Sequence, residues 1–130
     1  MSDHNNNLGR FFEDYAVGDI ITHATPRTLT EADASLYISI YPTRFALQSS
    51  AEFARNCGLK DRPLDDLIVF HTVFGKTVPD ISINAVANLG YAEGTFSNMV
   101  FSGETLSVKS EIIGLKQNSS GKTGIVYVKT

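Results

Sequence analysis

The sequence contains a single cysteine, Cys57, among its 130 residues. One thiol excludes an internal disulfide and every zinc site that needs several thiolates, and it suits a reducing compartment. Basic charge is not in excess: eleven Lys and Arg stand against fourteen Asp and Glu, a formal charge of -3 spread along the chain. That distribution leaves no footprint for nucleic acid or anionic lipid, so the expected partner is a small molecule or a protein. No apolar run reaches the length of a membrane span, and the opening MSDHNNNLGR lacks the apolar core of a signal peptide. These absences together predict a cytoplasmic protein with no membrane association and a disordered tail at residues 1–10.

What is present is enough for a core. A hydrophobic content of 42% over this length suits one ordinary domain, expected at residues 11–130. Ile20 and Ile21 begin a first edge strand that Pro26 interrupts. Thr30 precedes EADASLYISI with Asp33 three residues on, which predicts a capped helix that Pro42 stops near Tyr41. Ser49 and Glu52 read as a second capping pair for a short helix over Ala51 to Cys57, with Gly58 as its stop. After a loop, LKDRPLDD, the run LIVFHTVFGKTV is apolar almost all round. It predicts a helix capped by Asp65 or Asp66 and buried on every side. From Ile81 the period becomes two, in ISINAVANLGYAEG, ETLSVKSEIIGLK and KTGIVYVKT, a meander of three long strands. The order suggests an α+β domain whose antiparallel sheet curls around one buried helix. The final strand-like run GIVYVKT, with no turn or tail behind it, predicts that the chain is part of a longer one.

Few residues carry obvious chemistry. GKT occurs at Gly75 to Thr77 and at Gly121 to Thr123, but the glycine that a phosphate loop needs upstream is replaced by Phe70 and Lys116. His71, between Phe70 and Phe74 in the apolar helix, is either a general base or a core histidine with satisfied ring nitrogens. His23 and His4 are weaker candidates. Asp65, Asp66 and Glu52 are explained by helix starts, and Cys57 by a small buried residue. Asn84 and Asn88 share one face of the first meander strand by alternation, and are either solvent-exposed or in contact with a ligand.

Three stretches, FEDYAVGD (Phe12 to Asp19), TLTEADASLY (Thr28 to Tyr37) and VFSGETLSVKSEIIGLK (Val100 to Lys116), resemble the MaoC-like dehydratase family of hot-dog proteins. HATPRTLTEAD, VFHTVFGKTVPDISINAVANLGYAEG and GLKQNSSGKTGIVYV resemble the first half of two-half hydratases of this kind. The resemblance implies a hot-dog fold, a curved antiparallel sheet around a central helix, and a chain that continues into a second half. It also implies an acyl-CoA thioester as substrate, with no metal or further cofactor, and a homodimer as the expected assembly.

In catalytic members the loop after the first helix carries an aspartate and, five residues later, a histidine that activates water for addition to an enoyl-CoA. Aligned with that loop, YPTRFALQSS places Thr43 at the aspartate and Gln48 at the histidine. Neither side chain accepts a proton near neutral pH. The resemblance therefore implies the half that lacks the acid-base pair and completes the thioester tunnel. Arg44 would there meet a substrate carboxylate, as in a mesaconyl group, or a CoA phosphate, unless it is an exposed loop arginine. The alternatives are a CoA-binding or scaffolding module without turnover, and a hot-dog thioesterase using Glu52, Asp65 or Asp66.

Overall fold

The computed structural model describes residues 9–42 and 45–130. In chain order they form β1 (Ile20–Thr22), β2 (Arg27–Thr28), α1 (Glu31–Ile40), α2 (Ala46–Ser49), α3 (Ala51–Asn56), α4 (Asp66–Thr77), β3 (Thr105–Leu106), β4 (Lys109–Gln117) and β5 (Gly124–Lys129). Every strand pair is antiparallel, in a three-stranded sheet of order β1-β4-β5 and a two-stranded sheet of β2 with β3. The class is α+β, as expected. The chain divides into two compact units. One gathers the residues up to Thr25 with Phe74–Gly90 and Val108–Thr130, and the other takes Pro26–Val73 with Tyr91–Ser107.

The first unit is organised on β4. Ser110 and Ile112 are buried while Lys109, Glu111 and Ile113 are exposed, the alternation of a strand with one inward face. Ile112 pairs with Val128, but Gly114 pairs with Tyr127, so Ile113 is an extra residue in the ladder. This bulge resets the alternation and brings Leu115, rather than Gly114, onto the inward side. Tyr15, Ile21 and Ile112 form the core there, with Ile81, Leu115, Val126 and Val128 packed on it. The turn joining β4 to β5 closes through Asn118 N–H donating to the Thr123 carbonyl at 3.0 Å, with Gly121 in the left-handed region. The second GKT therefore lies in a hairpin turn, as expected.

The first expected meander strand is absent. Val78–Ser82 forms a single π-helical turn, and no strand is found between it and β3. Alternating hydropathy proposes a strand, but a strand exists only where a neighbour takes up its backbone hydrogen bonds. Here the Ser82 carbonyl accepts from Ala85 N–H in a local turn, and the Val100 carbonyl accepts from Leu64 N–H in a loop. The second expected strand is real but split. Thr105 and Leu106 pair with β2, and Lys109–Gln117 pairs with β1 and β5.

In the second unit, Leu29, Ala34 and Leu64 form a core against which Ile68, Val69, Val100 and Leu106 pack. Leu29 N–H donates to the Glu104 carbonyl, and Gly103 N–H donates back to the Leu29 carbonyl at 2.7 Å. The expected capping box of α1 is complete. Asp33 N–H donates to the Thr30 hydroxyl, and Thr30 N–H donates to the Asp33 carboxylate at 2.8 Å. The cap of α3 needs a correction of one residue: Ser50, not Ser49, receives Phe53 N–H, which leaves Glu52 in the first turn without a box. Gly58, at φ +88°, ends α3 as expected. Its N–H donates to the Arg55 carbonyl while Leu59 N–H reaches the Ala54 carbonyl.

The helix Asp66–Thr77 is also corrected. It is capped by Asp65, whose carboxylate accepts Leu67 N–H at 2.8 Å, but it is not buried on every side. Thr72 and Thr77 are buried, whereas Leu67, His71 and Gly75 form an exposed stripe at four-residue spacing. Hydropathy states what a helix face prefers; the packing of Ile68 and Val69 decides which face is satisfied. Among the described residues no helix is long and apolar enough to cross a membrane.

Asp33 generates a test of the α1 cap. The Thr30 backbone N–H, then the Thr30 hydroxyl and the Arg27 guanidinium, hold its carboxyl below the usual carboxylate range. A lowered folded value means stability that is present above the unfolded pKa of about 3.9 and lost as pH falls through the folded value. Asp33→Ala should therefore cost about 1 kcal/mol at pH 7. The gap in urea midpoints between wild type and variant should narrow as the pH is taken down toward 2. A gap that stays constant with pH would contradict the assignment.

Candidate functional site

The loop singled out in the sequence follows α1. The helix closes with Tyr41 N–H donating to the Tyr37 carbonyl at 2.8 Å, and the two tyrosine rings lie 5.1 Å apart. Pro42 has no N–H to continue the ladder. Thr43 and Arg44 lie outside the described residues. The chain then re-enters helix for one turn, α2, which carries Gln48 half-buried on it. Phe45, the residue before α2, is 59% exposed.

Arg62 holds this turn from the loop before α4, and sequence reasoning passed over it. Its side chain is mostly buried, at 15% exposure. It donates to the Gln48 carbonyl at 3.2 Å and pairs with the Glu31 carboxylate at the start of α1. One planar cation thus joins α1 to α2 through two differently directed bonds, a role its rigid fork suits better than a lysine point charge. Positions 31, 48 and 62 have no common spacing, so only the fold brings them together.

His71 stands on the exposed stripe of α4 rather than in a core, and its ring meets the edge of Phe70 at 5.7 Å. Asn84 and Asn88 are exposed in the irregular stretch after the π-helical turn. They therefore do not share a strand face. Asn88 folds back locally, its side-chain oxygen accepting Gly90 N–H at 3.1 Å. Asp66 opens α4, and Cys57 is exposed rather than buried. Among the described residues no group of three or more His, Cys, Asp and Glu is placed to hold a metal ion.

Among the described residues the histidine that acquires hydrogen-bonding partners is His23, which the sequence ranked low. Its side chain is fully buried. Nδ1 lies 2.7 Å from Asp80 Oδ2, and Nε2 lies 2.8 Å from Ser110 Oγ. Asp80 belongs to the π-helical turn and Ser110 to β4, 57 and 87 residues away in sequence. No local motif signals such a cluster. Beside it the Tyr15 hydroxyl donates to the Ile81 carbonyl at 2.8 Å, and burial, ahead of nearby charges, pushes its pKa up.

Comparison with known proteins adds an independent observation. The family model for mesaconyl-CoA hydratase matches residues 3–130. A β-methylmalyl-CoA dehydratase of Chloroflexus aurantiacus is 62% identical over 122 residues, which cover 94% of this chain and 35% of that protein. A solved structure from the same organism, a MaoC domain protein dehydratase, is 58% identical with a TM-score of 0.90 over 98% of this chain and 36% of that one. A Mycobacterium tuberculosis protein described as a double hot-dog fold superposes with a TM-score of 0.77 at 25% identity, over 85% of this chain and 34% of its own. The fold is thus of hot-dog type, with antiparallel sheets and a central helix. This chain spans about a third of the length of the curated relatives it matches.

Arg62→Ala should free both the Gln48 carbonyl and the Glu31 carboxylate, at a cost of about 1 to 2 kcal/mol in urea unfolding. Amide exchange at the hydrogen-bonded end of α2, read at Ser50, should accelerate more than exchange in β4. Uniform acceleration across the chain would mean that Arg62 supports global stability and not this turn.

Proposed function

The chain belongs to the mesaconyl-CoA hydratase family, and from that premise we propose that residues 11–130 are the thioester-binding, non-catalytic half of a MaoC-like enoyl-CoA hydratase. The observation that carries the reading is the loop after α1. Where catalytic members hold an aspartate and a histidine, this chain has Thr43 and Gln48. A hydroxyl and an amide orient a water molecule but do not take its proton, so addition of water across the double bond lacks its base. The base is then supplied by the other half of the longer enzyme.

On this reading the ligand is an enoyl-CoA with a dicarboxylic acyl group, mesaconyl-CoA, whose hydration gives β-methylmalyl-CoA. The names of the relatives support that choice. Arg44 is assigned to the substrate carboxylate or a CoA phosphate, and Asn84 and Asn88 to polar contacts along the thioester. The reaction asks for no cofactor beyond the thioester and water. The protein acts in the cytoplasm, and the isolated chain pairs with a second copy through surface that another half would cover. Exposed apolar side chains support the pairing: Val86 is 90% and Leu89 73% exposed.

The decisive experiment follows loss of the enoyl-thioester absorbance when the purified chain is mixed at high concentration with mesaconyl-CoA, alongside titration calorimetry of the same ligand. Heat of binding without turnover above the uncatalysed rate is expected. Turnover would sink the assignment of a non-catalytic half, and release of free CoA would point instead to a thioesterase. Sedimentation velocity should give a dimer; a well-folded strict monomer would remove the pairing from the proposal.

A further inference from the structure

Asp80, His23 and Ser110 are arranged in the atom order of a hydrolytic triad, carboxylate to Nδ1 and Nε2 to hydroxyl. Attack on a substrate is nevertheless closed to Ser110, which is 1% exposed. Its Oγ has a second partner, the hydroxyl of Thr130, at 2.8 Å. Asp80 is partly open at one end, with a side-chain exposure of 35%, and Thr130 is exposed at the other. A line of four hydrogen-bonding side chains therefore runs from solvent, through a sealed ring, back to solvent.

The line is complete in either protonation state of the ring. With His23 neutral, Nδ1–H donates to the Asp80 carboxylate, Ser110 O–H donates to Nε2, and Thr130 O–H donates to Ser110 Oγ. With one proton added at Nε2, Nε2–H donates to Ser110 Oγ and the Ser110 hydroxyl turns to donate to Thr130 Oγ1. The Asp80 carboxylate, 2.7 Å from Nδ1, balances the imidazolium. No polar atom is orphaned in either state, which is what burial of such groups demands. Among the described residues no buried side-chain nitrogen or oxygen lacks a partner.

We propose that Asp80, His23, Ser110 and Thr130 form a proton-driven hydrogen-bond relay, in which protonation of the sealed His23 ring reverses the Ser110–Thr130 hydroxyl pair beside the end of β5. The device makes the order of that strand end responsive to acidity, independently of any chemistry at the loop after α1. From the side of the π-helical turn, Arg10 donates to the Asp80 carbonyl at 2.9 Å, and Tyr15, with Asp14 beside it, donates to Ile81. From α4, Lys76 is occupied by the Thr25 hydroxyl at 3.1 Å. Lys109, Glu111 and Lys129 on β4 and β5 are exposed, and strand alternation turns Lys109 and Glu111 to the face opposite Ser110. β1 itself contributes only Ile20, Ile21 and Thr22.

The test is a pH titration of the isotopically labelled 130-residue chain by NMR, reading the His23 ring nitrogens and the Thr130 amide. The neutral ring should be the Nδ1–H tautomer, and the Thr130 resonance should move with the same midpoint as the His23 ring. In Ser110→Ala the ring should still titrate while the Thr130 response disappears. Asp80→Asn, altered at a partly exposed position, provides a second route should Ser110→Ala not fold. Loss of the counter-charge should move the Thr130 response to lower pH. An Nε2–H tautomer in the neutral ring, a stationary Thr130, a response that survives Ser110→Ala, or one that ignores Asp80→Asn would each overturn the relay.

Discussion

The register of β4 between β1 and β5 is the constraint on which the first unit depends. Ile21 is opposite Ser110 and Val128 is opposite Ile112, so one inward face supplies both the apolar core and the hydroxyl that meets His23. A slip of one residue would put Glu111 and Ile113 inside and Ile112 in water. Complete burial of Ile112 alone is worth about 1.5 to 3 kcal/mol, and the core residues Tyr15, Ile21 and Leu115 depend on the same register. The bulge at Ile113 lets the strand keep that register and still turn Leu115 inward.

Polar groups are buried only where geometry gives them partners. Thr72 and Thr77 in α4 return their hydroxyls to the carbonyls of Ile68 and Phe74, each at 2.8 Å. His23 and Ser110 satisfy one another and two further side chains. Arg62, mostly buried, binds a carbonyl and a carboxylate together. The exposed pairs Arg55–Asp61 and Lys60–Glu104 belong to a different class, since water and salt screen them to a small fraction of a buried bond's worth. Glu104 is still useful to the fold. Phe101 N–H, then Lys60, hold its carboxyl below the usual range, which anchors the turn leading into β3.

The candidate site was legible in part. Its place, after α1 and Pro42, follows from a capping box and a proline, both local signals that the structure reproduces. That a hydroxyl stands at position 43 and an amide at position 48 is likewise a matter of residue identity. What positions Gln48 was not legible, because Arg62 and Glu31 meet it only after α1 and the following loop have packed. Asn84 and Asn88 were misplaced for the converse reason. Alternation suggests a strand, whereas the chain there makes a π-helical turn and an irregular stretch with local backbone bonds such as Ala85 N–H to the Ser82 carbonyl.

The sequence by itself determined the α+β class, the caps at Thr30 and Gly58, the helix starting at Asp66, and the hairpin of β4 and β5. Each of these rests on neighbours within a few residues, where sterics and hydrogen bonding act before the chain packs. Only the tertiary structure decided which side of α4 is covered, where β4 bulges, and which histidine acquires a carboxylate and a hydroxyl. Those outcomes depend on groups tens of residues apart, and their energies exist only once packing has excluded water from between them.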